Sequence, residues 1–268
     1  MRQIHDSLRL IDIDQPLEGF RKFIGAWVCR VDGTTLLVDP GPAATIPRLA
    51  EQLRQDGIGR VDHVLLTHIH LDHAGGTGHF LRHFPEARVN CHPRGIPHLT
   101  APQKLWEESK KVLGKVAEAY GEMEPVPEAS IAWRERIPAG GGMIEAIETP
   151  GHAAHHVSYR VGDILFAGEV CGVYVPLDGG FYCRPATPPP FRHGTFRNSI
   201  TRVEALGVKL VCIGHYGSRQ DVAEVFERAR RQLDFWVETA ERHFRAGSDP
   251  FEEAVLAEFD RLSSRGGV

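Results

Sequence analysis

The period of the apolar positions changes along the chain and predicts strands alternating with helices. Residues 26–31 and 35–38 are short apolar runs, and Asp32-Gly33 between them is a hairpin turn signal. Asp39-Pro40-Gly41 ends the second run. From Ile46 to Gln55 the period lengthens to three and four, with Ile46, Leu49, Ala50 and Leu53 on one helical face. Residues 61–67 predict a buried strand. A His- and Asp-rich loop follows, then Gly75-Gly76 and a short helix to about Phe84, stopped by Pro85. Residues 88–91 predict a strand, and residues 103–120 a helix ended by Gly121, Pro125 and Pro127. Strands are expected over 144–148, 156–161 and 164–167, the last two joined through Gly162-Asp163. Residues 171–195, rich in Gly and Pro, predict a long loop. A helix over 196–206 and a strand over 208–213 come next. Residues 219–246 form an amphipathic helix carrying Val222, Val225, Phe226, Ala229, Leu233, Trp236, Ala240 and Phe244 on one stripe. Asp249-Pro250 opens a last helix from Phe251 to about Leu262.

No internal repeat or low-complexity linker divides the chain. The pattern is that of an α/β fold, with a catalytic domain over 1–218 and a C-terminal helical extension over 219–268 packed on it. The apolar stripe of the long helix suits packing on its own core; a homodimer interface is the second use open to it. The 268 residues, 42% hydrophobic, suffice for a full core. A net charge of -4 offers no basic surface for nucleic acid, and no apolar run reaches the roughly 18 residues of a membrane span. The expected partner is therefore a small-molecule substrate. Cys29, Cys91, Cys171, Cys183 and Cys212 are scattered and odd in number, and the N-terminus is polar. Both point to a reducing, cytoplasmic setting without a disulfide framework.

Candidate chemistry changes this picture. Of 15 histidines, three fall in Thr67-His68-Ile69-His70-Leu71-Asp72-His73, directly after a predicted buried strand. In an extended stretch His68 and His70 project to one side and can share a metal ion. Once the chain bends toward a helix, Asp72 and His73 turn to a neighbouring position. Neutral imidazole and carboxylate suit zinc, iron, manganese or cobalt. His152, Glu169 and His215 each lie just beyond a predicted strand end, where α/β folds gather functional groups. His63, His79, His83 and His243 fit solvated or structural roles. His156 opens a strand and is expected to point away from the site. Cys171, two residues past Glu169, fits a small buried apolar role better than a metal ligand.

With the T-H-x-H-x-D-H motif and the Thr149-Pro150-Gly151-His152 segment, the chain resembles the metallo-β-lactamase-fold hydrolase superfamily, particularly its glyoxalase-II-like members. The resemblance runs from the first hairpin to His215. It implies a four-layer αβ/βα sandwich with metal ions at one edge of two facing sheets. It implies that His68, His70 and His152 hold a first ion, and Asp72, His73 and His215 a second. Glu169 stands where the superfamily places a bridging Asp, one methylene shorter; as a ligand it would bridge with altered geometry or bind one metal only, and the alternative is that it misses the site and accepts a hydrogen bond in the outer shell. Asp39 occupies the position of a carboxylate that orients a ligand.

The reading that follows is a hydrolase acting on an ester-like bond, a thioester or lactone, through a metal-bound hydroxide, with Asp72 also moving a proton. Zinc is the first choice of cofactor, as one or two ions; iron or manganese come next. The same superfamily also holds iron redox enzymes such as sulfur dioxygenases, and a non-catalytic, metal-stabilised binding protein is the remaining alternative. Tyr174, Phe181, Tyr182, Phe191 and Tyr216 are expected to wall the pocket, with Tyr182 or Tyr216 donating to an oxyanion. His92 and His98 are further candidates for its lining.

Overall fold

The computed structural model describes residues 2–5, 7–177, 180–247, 252–253 and 256–257. Two mixed sheets face each other. The first runs in the order β1 (Arg2–His5), β2 (Leu8–Asp12), β3 (Gly25–Val31), β4 (Thr34–Val38), β5 (His63–Leu65), β6 (Arg88–Asn90) and β7 (Ile131–Ala132). The second is built from β8 (Arg136–Ala139), β9 (Gly142–Glu148), β10 (Val157–Val161), β11 (Ile164–Leu177), β12 (Gly180–Arg184), β13 (Leu210–His215) and β14 (Ser218–Arg219). Its order is β14-β13-β11-β10-β9-β8, with β12 paired to β11. The helices are α1 (Ile46–Gln55), α2 (Leu71–Ala74), α3 (Thr77–His83), α4 (Ile96–Thr100), α5 (Gln103–Leu113), α6 (Lys115–Tyr120), α7 (His193–Glu204) and α8 (Val222–Ala246).

Alternation along the strands builds the layers. On β3, Ala26 and Val28 face the helices of the first half, while Trp27 and Cys29 face the opposite sheet. On β13, Leu210 and Cys212 join Trp27 between the sheets, while Val211 and Ile213 pack under α7 and α8. Successive side chains leave a strand on opposite faces, so a strand covered on both sides reads as an unbroken apolar run. The result is helices, sheet, sheet, helices, with three cores. Burying each large apolar side chain stabilises the fold by about 1.5–3 kcal/mol.

The first hairpin forms as its turn residues predict: Asp32 (φ 44°) and Gly33 (φ 85°) both take the left-handed conformation that such a turn needs. Three expectations need correction. The helix expected over 103–120 is broken into α5 and α6 at Gly114, whose φ of 52° no helix interior accepts. Much of the loop expected over 171–195 is strand: β11 continues to Leu177 and β12 returns beside it. Gly168 and Gly172 mark a bulge in it, since Gly168 pairs with Ile213 and Val173 with His215. Strand β13 also runs on to His215. The last helix, expected from Phe251, falls outside the described residues except for 252–253 and 256–257. The stripe of α8 is buried at Val225, Phe226, Ala229 and Leu233, but Phe244 at its far end is exposed. All five cysteines are buried and free. Among the described residues, no helix is long and apolar enough to cross a membrane.

Hydrogen bonds from three donors tie the sheets together around the His-rich motif. The Tyr159 hydroxyl of β10 lies 3.1 Å from both the Leu66 and Asn90 carbonyls, Val157 N–H donates to Thr67 O (2.7 Å), and Trp27 Nε1 donates to Ile213 O (3.2 Å). They hold the edge that carries the site.

Candidate metal centre

The motif changes conformation where its ligands need it to. His70 is extended (φ −63°, ψ 154°) and immediately precedes α2, so His68 and His70 share one side while Asp72 and His73 occupy the first helical turn. His152 follows β9, Glu169 lies in the β11 bulge and His215 ends β13. Two groups result. His152 Nε2 is 3.2 Å from His68 Nε2 and 2.9 Å from His70 Nδ1. His73 Nε2 and His215 Nε2 are 3.2 Å apart, with Asp72 Oδ2 3.7 and 3.3 Å from them. The ligand atoms of each trio lie within 4.8 Å of one another. Nitrogens about 2.0–2.1 Å from a tetrahedral ion would be about 3.3 Å apart, close to what these trios present.

The outer nitrogens fix the tautomers. A carbonyl only accepts, so His152 Nδ1–H donates to Ala186 O (3.1 Å) and His215 Nδ1–H donates to Phe23 O (2.8 Å). The Thr67 hydroxyl donates to Asp39 Oδ2 (2.6 Å) and therefore accepts from His68 Nδ1 at 3.0 Å. His73 Nδ1 donates to the same Asp39 oxygen (3.0 Å), and Thr67 N–H donates to Asp39 Oδ1 (2.8 Å). Asp39 thus orients one imidazole of each trio, directly or through Thr67, while itself holding a positive φ of 51°, a conformation costly for a residue with a Cβ.

Electrostatics divides the trios. Burial pushes His68, His70 and His152 down, His152 to about 3, so all three are neutral at ordinary pH. His68 Nε2 and His152 Nε2 then face each other as two lone pairs. Burial also opposes charge on His73 and His215, but the carboxylates of Asp72, Asp39 and Glu169 prevail and raise both, His215 to about 9. Burial pushes the acids Asp72 and Glu169 up; the neighbouring His73 and His215 overcome this and keep both ionised. Glu169 is fully buried, and neither of its oxygens has a hydrogen bond of acceptable geometry. An anion in that position and a pair of opposed lone pairs are what a cation relieves, so the donor set fits metal ions.

The expected pocket wall is not where the sequence put it. Tyr174 is buried in the core under α7 and α8, and Phe191 packs against the same core beside Phe196. The expected loop is a strand hairpin there, which turns Tyr174 to the helix-covered face. Tyr216 lies between the sheets with its hydroxyl donating to Asp12, so it is not free to serve an oxyanion. The side chains of Phe181 and Tyr182 lie outside the described residues. His92 is buried, its Nε2 3.5 Å from Glu148 Oε1, and His98 is exposed on α4. His155, whose ring stands 6.0 Å from that of His70, is held down to about 3 by burial first, then by His70 and His152, and least by His92 and His98. The aromatic surface next to the second trio is instead Phe20, Phe23 and Tyr120. Phe23 stacks on His215 at 4.4 Å, Phe20 meets Phe23 at 5.3 Å and Tyr120 at 6.3 Å, and the Asp72 charge adds to burial in raising the Tyr120 phenol. Phe20 and Phe23 lie in an irregular stretch without a motif, so nothing local flagged them.

His156 does not simply point away. It is buried behind Glu169, and its Nε2 accepts the Glu169 N–H (2.9 Å). Its Nδ1–H therefore donates to Thr149 Oγ1 (2.8 Å), which donates to Ser158 Oγ (3.1 Å), which donates to Ala167 O (3.0 Å). Each proton in this series has an acceptor. A side chain on Gly168 would strike His156 Nε2 at 2.4 Å, so that glycine is required for the approach.

Two facing sheets with helices outside and two His-rich trios at one edge define a class of metal-site proteins. The sequence profile of the Metallo-beta-lactamase superfamily matches residues 23–215, and the chain belongs to that superfamily. It is 30% identical over 209 residues to the metallo-beta-lactamase fold-containing protein ST1585 of Sulfurisphaera tokodaii, covering 75% of this chain and 76% of that protein. The crystal structure of ST1585 superposes with a TM-score of 0.71 at 27% identity, over 85% of this chain and 86% of that one. The hydroxyacylglutathione hydrolase of Stenotrophomonas maltophilia is 32% identical over 138 residues, 52% of this chain and 42% of that enzyme. The chain thus spans less than half the length of that relative. The metallo-beta-lactamase family protein TTHA1429 of Thermus thermophilus shares the fold over 98% of this chain and 95% of its own, with a TM-score of 0.67 at 22% identity.

Proposed function

We propose that the chain is a metal-dependent hydrolase of ester-like bonds, thioesters or lactones. The observation that carries the metal requirement is the pair His68 Nε2 and His152 Nε2, 3.2 Å apart with both outer N–H groups already committed. Support for hydrolysis comes from the partial similarity to hydroxyacylglutathione hydrolases. His68, His70 and His152 would hold one ion, and Asp72, His73 and His215 another. Zinc is the first candidate. A divalent ion held by these residues would supply an acidified water and a Lewis acid for the substrate's carbonyl oxygen.

The protein's own groups do the rest. Asp72 keeps 21% of its side chain exposed while Glu169 keeps none, so Asp72 is the acid of the centre that a substrate can reach. Kept ionised by the positive charge beside it, carried by His73 and His215 or by the ion that takes their protons' place, it would accept a proton from the attacking water and return it to the leaving group. Asp39, Thr67 and the carbonyls of Phe23 and Ala186 keep the imidazoles in the ligating tautomer. Phe20, Phe23 and Tyr120 supply an apolar flank on which an acyl chain or lactone ring packs.

The test is metal analysis of the purified chain, followed by a panel of thioesters, lactones and phosphodiesters before and after chelation. One or two ions per chain and hydrolysis that vanishes on chelation and returns with metal are expected. Hydrolysis that survives complete metal removal overturns the reading. Oxygen uptake by iron-loaded protein without any hydrolysis turns it to the redox alternative.

A further inference from the structure

We propose that Glu169 is a ligand of the Asp72, His73 and His215 pocket alone, and not a carboxylate shared between two pockets. This rests on the two-pocket reading above, but not on hydrolysis. Glu169 Oε1 is 3.1 Å from both His73 Nε2 and His215 Nε2. No such contact within 4.0 Å joins either of its oxygens to His68, His70 or His152 among the described residues. The carboxylate is fully buried, and both oxygens lack a hydrogen bond of acceptable geometry. Among the described residues its ion-pair partners are the two imidazoles of the second pocket, and the backbone sets where the side chain starts.

That backbone is held tightly. The Glu169 N–H is anchored on His156 Nε2, and the series through Thr149 and Ser158 leaves His156 one tautomer. Gly168 (φ 56°) lets His156 approach. Gly214 makes room for the longer side chain: a Cβ there would stand 3.1 Å from Glu169 Oε1 and 3.0 Å from Gly168 O. Glu169 Oε1 thus stands on the β13 side, beside His215, where it would add a fourth protein donor to the Asp72, His73 and His215 trio. The first pocket keeps three imidazoles and no acid of its own.

The experiment measures cation binding in single-pocket backgrounds, by calorimetric titration of the full metal-free chain with Zn(II) and, for its electronic spectrum, Co(II). His152→Ala leaves the second pocket, His215→Ala the first. Adding Glu169→Gln should weaken binding by about tenfold or more in the His152→Ala chain and leave the His215→Ala chain unchanged. The Co(II) spectrum should change only in the former. Weakening in both backgrounds overturns the proposal in favour of a shared carboxylate, and weakening in neither shows that Glu169 is no ligand. A His152→Ala chain that binds nothing also overturns it, since four donors should hold an ion unaided. So does a His215→Ala chain that binds nothing, because the first trio owes nothing to Glu169. Should Glu169→Gln fold poorly, Glu169→Asp replaces it: the shorter arm should weaken the second pocket and strengthen the first. These readouts need no substrate, so failure of the hydrolase reading leaves them standing.

Discussion

The His68, His70 and His152 pocket abuts the one formed by Asp72, His73 and His215, with the rings of His68 and His73 4.2 Å apart, yet the two respond to burial in opposite ways. In the first, no carboxylate touches the ligand nitrogens, so desolvation prevails and the imidazoles shed their protons. In the second, ionised acids surround the nitrogens and protons collect on them. The same residue type, equally buried, is a neutral donor on one side and a cation on the other. The difference shows that, at equal burial, the neighbouring charge decides whether a histidine keeps its proton.

Breaking either pocket should have the largest effect. His152→Ala and His215→Ala are each expected to remove one ion from a chain that holds two, and to lower kcat/KM for the best ester-like substrate by about a hundredfold or more. Elemental analysis beside steady-state kinetics checks both; an unchanged ion count in either variant removes that pocket from the centre. Asp39→Asn strikes both pockets at once, since Asp39 accepts from His73 and from Thr67 beside His68. Ion affinity should fall by about 10–100-fold in both, with the fold retained. A loss confined to one pocket would show that Thr67 orients His68 without help.

Acidity should sharpen the contrast. A cation entering the second pocket must displace protons from His73 and His215, whose pKa values are raised, so its affinity should climb with pH up to about 9. The first pocket, with His152 near 3, should show a flat affinity through neutrality. Titrations of the two single-pocket chains in buffers of different protonation enthalpy count the released protons; equal counts would refute the division. Smaller effects come from the frame. Gly168→Ala should cost about 1–3 kcal/mol, because its φ of 56° and the contact with His156 disfavour a Cβ. Thermal unfolding reads this. Tyr216→Phe should cost only about 0.5–1.5 kcal/mol through the lost bond to Asp12 and leave kcat unchanged. A large fall in kcat would restore Tyr216 as an oxyanion donor.

The α1 helix and the first hairpin were legible because their signals are local: a 3.6-residue period and two residues suited to left-handed turns. The donors of both trios were legible for the same reason, as His and Asp at fixed spacing or at predicted strand ends. The pocket wall was not. Phe20 and Phe23 approach the site only because β2 and β3 bring their irregular connection there, and Tyr174 left the expected wall because the predicted loop is a strand whose alternation turns it outward. His156 looked like an ordinary strand opener, and its bond to Glu169 crosses from β10 to β11.

By itself the sequence determined which chemical groups are available and how neighbours within one segment share a side. The tertiary structure alone decided which nitrogen of each ring faces inward, which histidines carry charge, and where the longer carboxylate of Glu169 reaches. The physical reason is that an imidazole's tautomer and charge depend on what sits beside it. For His215 that neighbour is the Phe23 carbonyl, 192 residues away along the chain.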